Sequence, residues 1–204
     1  MSRARRFSEV SGFILAGGAS RRMGFDKARL SFGSERLVER QIRLLRAICR
    51  SVAIIGPPDR FADTGIQVYQ DEVPGQGPLG GIHTGLRRAR TEFSLFLSCD
   101  MPLMDKRFLR YLCEQALASR ALATLPPPCA KGLYPLCAVL RRRALARVRS
   151  CLASGQNQVG RFFSRSPQRS ISKAEFARAG FSPHIFCNMN TPQEYERLRQ
   201  QWVR

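Results

Sequence analysis

Apolar residues recur along this chain in two rhythms, and the two alternate. Short runs rich in β-branched and aromatic residues come at 13–16, 52–55, 66–69, 93–98, 122–125 and 134–140, and these read as strands. The run FSLFLS at 93–98 is apolar almost throughout, as expected of a strand buried on both faces. Between the strands the spacing turns helical. Over 35–50, Leu37, Val38, Ile42, Leu45 and Ile48 fall on one face, with Ser34 placed to cap the helix and Glu35 in its first turn. Further helices are predicted over 80–90, 105–117 and 141–152, with a short one around Phe162 and Phe163. A last strand is predicted at 185–187. Thr191, Pro192 and Glu194 form a T-x-x-E start for a final helix. Strand–helix alternation of this kind predicts an α/β fold with a mostly parallel central sheet, whose ligands sit beyond the carboxyl ends of the strands.

The chain has 204 residues, which suits one domain, taken as 11–204 behind a basic tail at 1–10. A hydrophobic content of 44% is enough for a core. The charge changes the picture more: 34 Lys and Arg against 15 Asp and Glu leave a formal +19. Such a surplus favours anionic partners, although a compositional bias toward arginine produces it equally well. A basic, non-catalytic nucleic-acid binder is therefore one reading. It explains the charge, but the chain lacks an RNP-like aromatic strand or a recognition-helix signature.

Seven cysteines occur without a CxxC pair, and there are two histidines. That pattern argues against a disulfide framework, a zinc module or a histidine-based metal site, and fits a reducing cytosol. No apolar stretch is long enough to span a membrane. The basic start MSRARRFSEV is followed by an apolar run that Gly and charge interrupt, unlike a signal-peptide core. The expected location is cytoplasmic.

The chemistry concentrates in LAGGASRRMGFDKARL, residues 15–30, directly after the first apolar run. Gly17 and Gly18 allow close backbone approach to a ligand, and Lys27, Arg21 and Arg22 can neutralise phosphate. The spacing is neither that of a Walker A loop nor G-x-G-x-x-G. Asp100 ends the most apolar strand, where a carboxylate is costly unless it holds something. Magnesium ligation and a helix N-cap both fit it. Asp71 precedes a Gly/Pro loop and serves a turn without any ligand. GPLGGI, residues 77–82, suits either a helix N-terminus facing an anion or a helix packed tightly on the sheet. His83, Arg87 and Arg88 read as a solvated face, as do Arg141, Arg142, Arg143, Arg147 and Arg149. Asn188 and Asn190 straddle Met189 and would share a face on a strand, where amides offer both donor and acceptor; a turn before the capped helix suits Asn190 equally.

Together these motifs resemble the molybdenum cofactor guanylyltransferases, the MobA family. The likeness is carried by LAGGASRRMGFDK, by Asp71 with GPLGGI, by Cys99-Asp100-Met101-Pro102, by YPLCAVL and by NMNTP at 188–192, and it spans about 10–202. The first motif alone is also similar to cytidylyl and sugar-phosphate transferases; a molybdopterin cytidylyltransferase is the nearest alternative. The resemblance implies a Rossmann-like three-layer nucleotidyltransferase fold and transfer of GMP from GTP to molybdopterin, or Mo-molybdopterin, with release of pyrophosphate. It implies Leu15, Ala16, Gly17, Gly18, Lys27, Asp71 and Asp100 as nucleotide site, Lys27 and Asp100 as catalytic, and Asp100 as the Mg²⁺ ligand. Asn188 and Asn190 would face the pterin, and other molybdenum-cofactor assembly proteins and acceptor molybdoenzymes would be partners. Nucleic acid and membrane are not expected as partners. The chain departs from the family at Gly56, where an asparagine commonly contacts the nucleotide.

Overall fold

The structure, a computed structural model, describes residues 6–17, 30–129, 136–189 and 191–202. Strand β1 (Phe7–Leu15) runs through the centre of the sheet, and its first residues lie within the segment expected as a tail. β2 (Ser31–Phe32) and β3 (Glu35–Arg36) form a small hairpin, followed by α1 (Leu37–Arg46) and β4 (Cys49–Ile55). Then come α2 (Pro58–Phe61), β5 (Gln67–Tyr69), α3 (Gly77–Arg88) and β6 (Phe93–Ser98). The second half holds α4 (Lys106–Ala118), β7 (Ala123–Leu125), β8 (Cys137–Arg141), α5 (Ala144–Ala153), α6 (Val159–Ser164), β9 (Gln168–Ser170), α7 (Lys173–Arg178) and α8 (Pro192–Trp202).

Seven strands make one sheet in the order β5-β4-β1-β6-β8-β7-β9. All its pairings are parallel except those of β8, which runs antiparallel to both β6 and β7. Alternate residues of β1 feed opposite faces, as strand geometry requires. Ile14 joins a core built with α1, α4 and α7, while Phe13 and Leu15 join one built with α3, α5 and α6. The result is the expected three-layer α/β architecture with a mixed, mostly parallel sheet.

Several boundaries differ from the sequence reading. Residues 31–36 form the hairpin, with Gly33 at a left-handed φ of 67° in its turn, so the helix expected from Glu35 begins at Leu37. Arg36 rather than Ser34 occupies the cap position, and its N–H donates to Glu39 at 2.9 Å. Ile48 lies past the end of α1 yet is fully buried, because the chain turns straight into β4. The strand expected at 185–187 is instead a 3₁₀ turn, Pro183–Phe186, packed by its aromatic ring against Phe108. The last strand is β9, a polar segment that the apolar pattern did not mark. The T-x-x-E start of α8 is present: the Thr191 N–H donates to Glu194 at 3.1 Å, and the Glu194 N–H donates to the Thr191 hydroxyl at 3.2 Å.

Helix α3 lies on the sheet through glycines. A Cβ on Gly85 would stand 2.4 Å from the Phe96 ring, and one on Gly81 would stand 2.9 Å from Leu15 Cδ2. Phe96 cannot easily retreat, because it stacks on Phe13 at 5.4 Å between ring centroids. GPLGGI thus serves tight helix–sheet packing. Gly85→Ala should destabilise the protein by about 1–3 kcal/mol through overpacking. Chemical denaturation checks this, and an unchanged midpoint would contradict the close approach.

Candidate active site

The parallel strands end level with one another, because their pairing registers align Leu15 with both Ile55 and Ser98, and Ile55 with Tyr69. The ladder continues just past the strand ends. The Ala16 N–H donates to the Ile55 carbonyl at 2.9 Å, Gly56 to Tyr69 at 2.9 Å, and Cys99 to Leu15 at 3.2 Å. Leu15, Ala16, Gly17, Asp71 and Asp100 are therefore all delivered to the carboxyl end of the sheet. Leu15 and Ala16 are buried and Gly17 is exposed. Gly18, Arg21, Arg22, Lys27 and Asn190 lie outside the described residues.

Asp100 is half-buried. It does not cap α4; Asp105 does, accepting the Arg107 N–H at 2.6 Å. Its Oδ1 is buried without a hydrogen-bond partner among the described residues. A buried anionic oxygen left this way is costly, and a ligand or cation that occupies it removes the cost. A hard carboxylate oxygen suits Mg²⁺, which commonly takes one or two carboxylates and fills its remaining positions with phosphate and water. No group of three or more His, Cys, Asp or Glu able to hold a metal exists among the described residues. The donor set thus fits a phosphate-associated ion better than an all-protein cage.

Asp71 has a local role. Its Oδ1 accepts from the Val73 N–H at 3.0 Å and the Thr84 hydroxyl at 3.2 Å, which ties the loop after β5 to α3. Gly80 makes room for that carboxylate, since a Cβ there would meet the Val73 carbonyl at 2.7 Å and Asp71 Oδ2 at 3.0 Å. Gly56 is likewise a packing position: a Cβ would stand 3.1 Å from the Phe61 ring and 3.2 Å from the Ala16 carbonyl. Asn188 is exposed and follows the 3₁₀ turn rather than lying on a strand. Its neighbour Met189 is fully buried and donates its N–H to the Asp100 carbonyl at 3.0 Å, which brings the NMNTP segment to the Asp100 loop.

Other expectations change on folding. His83 is buried on α3, not solvated, and burial lowers its pKa despite the nearby Glu72 carboxylate. Arg87 and Arg88 both bridge to Glu72, at 3.3 and 2.7 Å. Arg141 is a strand residue paired with Glu92 at 2.9 Å and set over the Phe93 ring, and Arg143 and Arg147 donate to the carbonyls of Arg120 and Arg165. The run at 141–149 is thus partly tied down rather than a free basic helix face.

Two buried polar residues near the site were not singled out from the sequence. Arg40 and Gln41 of α1 are 7% and 0% exposed and reach into the loop after Asp100. The signal was there: they interrupt the apolar stripe that Leu37, Val38, Leu44 and Leu45 continue. A separate cleft of about 480 Å³, lined by Arg6, Arg46 and Arg50 with Ser51 and Gln67, lies at the amino ends of β4 and β5, away from these residues. Among the described residues no helix is long and apolar enough to cross a membrane.

The fold and the strand-end site define the class: an α/β domain of the nucleotidyltransferase type. A structure titled molybdopterin-guanine dinucleotide biosynthesis protein A from Archaeoglobus fulgidus superposes with a TM-score of 0.80 over 95% of this chain and 98% of that one, at 19% identity. A CMP:2-keto-3-deoxy-manno-octonic acid synthetase complexed with CTP shares the fold at a TM-score of 0.72, with 12% identity over 96% of this chain and 99% of that chain. Residues 12–171 match the MobA-like NTP transferase domain. The molybdenum cofactor guanylyltransferase of Syntrophotalea carbinolica is 33% identical over 94% of this chain and 91% of its own length. The probable molybdenum cofactor guanylyltransferase of Carboxydothermus hydrogenoformans is 32% identical over 91% of this chain and 92% of its own. The chain belongs to the molybdenum cofactor guanylyltransferases, within the MobA-like NTP transferases.

Two stability predictions follow from the geometry. Asp100→Asn should melt at the same or a higher temperature than the wild type, because it neutralises a carboxylate whose Oδ1 is buried without a hydrogen-bond partner among the described residues. Gly56→Asn should lower stability by about 1–3 kcal/mol, because its Cβ would press to 3.1 Å from the Phe61 ring and 3.2 Å from the Ala16 backbone, which must give way. Calorimetric melting of both variants checks the pair; a large loss in the first or none in the second would contradict the geometry.

Proposed function

We propose that this chain transfers GMP from GTP to the terminal phosphate of molybdopterin at the carboxyl end of its sheet, with Lys27 and Asp100 as the catalytic residues. The observation that carries this reading is the Oδ1 of Asp100 just past the end of β6, buried without a partner among the described residues and level with the Leu15–Gly17 backbone. The named activity of the relatives supports the choice of GTP over CTP.

The reaction is a displacement at phosphorus. An oxygen of the molybdopterin phosphate forms a bond to the α-phosphorus of GTP. The bond from that phosphorus to the bridging oxygen breaks, and pyrophosphate leaves with the electron pair. The product carries a new diphosphate linkage. The nucleophile is already anionic, so no general base is required, and catalysis rests on positioning and charge neutralisation. Backbone at Leu15, Ala16, Gly17 and Gly18 cradles the nucleotide, and Lys27 neutralises charge on the triphosphate. Arg21 and Arg22 add positive charge at the mouth. Asp100 holds Mg²⁺, which when bound supplies further positive charge against the phosphate oxygens. Asp71 orders the loop that leads into α3 beside the nucleotide, and Asn188 and Asn190 face the pterin. At Gly56 only backbone is available to the nucleotide.

Lys27→Ala and Asp100→Ala should fold like the wild type, by circular dichroism, and lose about 100-fold or more in turnover. The assay is incubation with GTP, Mg²⁺ and molybdopterin, with pyrophosphate and guanylated pterin as readouts. Wild-type rates in both variants would sink the mechanism. Isothermal titration should give heat with GTP plus Mg²⁺, and much less with CTP or after chelation of the metal. A preference for CTP would move the chain to the cytidylyl transfer reading.

A further inference from the structure

The loop after β6 is held from behind by two side chains of α1. Gln41 Nε2 donates to the Met101 carbonyl at 2.8 Å. Arg40 donates from Nε to the Pro102 carbonyl at 2.6 Å and from a terminal nitrogen to the Met104 carbonyl at 3.4 Å. With the Met189 N–H on the Asp100 carbonyl at 3.0 Å, the carbonyls of Asp100, Met101, Pro102 and Met104 all have donors from distant parts of the chain. Met101 and Met104 are buried and pin the loop from the apolar side.

This arrangement is expensive. Arg40 is a buried arginine, and burial is the largest influence on its guanidinium, lowering its pKa. Its carboxylate partner, Glu35, is 3.7 Å away. Gln41 is fully buried, and its Oε1 has no hydrogen-bond partner among the described residues. A core position on α1 would be more stable filled by an apolar side chain if the loop did not need the donors. The contacts also have a direction. Glu35 belongs to the β2–β3 hairpin, and that hairpin receives the chain as it returns from the segment carrying Lys27. The Leu37 N–H donates to the Leu30 carbonyl at 3.1 Å, which fixes that return point. Arg40 therefore touches both the hairpin that follows the Lys27 segment and the loop that follows Asp100.

We infer that Arg40 and Gln41 are positioning residues for nucleotidyl transfer. They hold the loop so that the Asp100 Oδ1, partnerless among the described residues, stands just past the end of β6, level with Leu15 where the signature segment begins. The inference rests on the reading of Asp100 as the carboxylate that faces the nucleotide and its metal.

The full chain tests it. The variants are Gln41→Met, Arg40→Met and Arg40→Lys. Ile42→Ala, a buried apolar change on the same helix that removes no hydrogen bond to the loop, serves as a destabilised control, and Asp100→Asn as a reference. Amide hydrogen exchange at 99–104 should accelerate by about tenfold or more in Gln41→Met and Arg40→Met, and less in Arg40→Lys. In the same variants kcat should fall about tenfold or more while KM for GTP moves less than about threefold, as for misplacement of a group by a fraction of an ångström. The Mg²⁺-dependent part of the GTP binding heat should shrink in parallel. Ile42→Ala should melt earlier and keep its kcat. If Arg40→Met does not fold, Gln41→Met and Arg40→Lys carry the comparison. Should Gln41→Met and Arg40→Lys behave like Ile42→Ala while Asp100→Asn is inactive, the positioning role is refuted and the reading of Asp100 stands. Wild-type turnover in Asp100→Asn would overturn that reading and this inference with it.

Discussion

The parallel pairing of β1 with β4 on one side and β6 on the other sets the level at which this sheet ends. Leu15 faces both Ile55 and Ser98, and single hydrogen bonds carry the alignment one residue further on each strand. Everything at the candidate site is referred to that edge. Gly17 leaves it with a free approach to ligand, Gly56 closes against Ala16, and Asp100 follows the end of β6. A register slip of one residue would turn Phe13 and Leu15 out of one core and Ile14 out of the other, so the burial of β1 on both faces protects the alignment. The geometry of the site is thereby a by-product of the most strongly determined part of the fold.

Around that edge the protein spends polar groups in the interior. Thr84 and Asp71 lock the loop after β5, while Gln41 and Arg40 occupy the loop after β6. Both loops begin where a strand has run out of backbone partners, so their carbonyls and N–H groups need donors and acceptors from elsewhere. Glycines do the complementary work. Gly80, Gly81 and Gly85 let α3 approach so closely that its first turn stands over Asp71 and its body rests on Leu15 and Phe96. The helix that follows the loop after β5 is consequently held by shape, and the loops by hydrogen bonds.

The large positive charge resolves into several uses. With 34 basic and 15 acidic residues, carboxylates are outnumbered more than two to one. Some arginines take one, as Arg87 and Arg88 do at Glu72. Some donate to backbone carbonyls, as Arg143 and Arg147 do, and some lie over rings, as Arg107 does over Phe181. Guanidinium is suited to this because its five donors need not face an anion. The surplus therefore owes less to one anionic interface than its size suggests.

Much of this was legible in the linear pattern. Apolar runs located β1, β4, β6 and the cores they feed, because burial on both faces leaves an uninterrupted hydrophobic signature. The glycine pair after β1, the aspartate after β6 and the capped start of α8 are local features, and local chemistry alone marks them. What the pattern could not reveal depended on partners far away in sequence. β9 is polar and exists because β7 offers it a free edge. Residues 35 and 36 leave the expected helix because a left-handed Gly33 closes a hairpin over 31–36. His83 looks like a surface residue until folding buries it on α3. Asp100 by itself suited a helix cap as well as a ligand; only the fold gave the cap to Asp105 and left an Asp100 oxygen without a partner among the described residues. The sequence by itself determined which segments must be buried and which motifs end the strands. The tertiary structure decided which polar groups at those ends are satisfied, because their donors come from other elements, as Gln41 does for the Met101 carbonyl from 60 residues away.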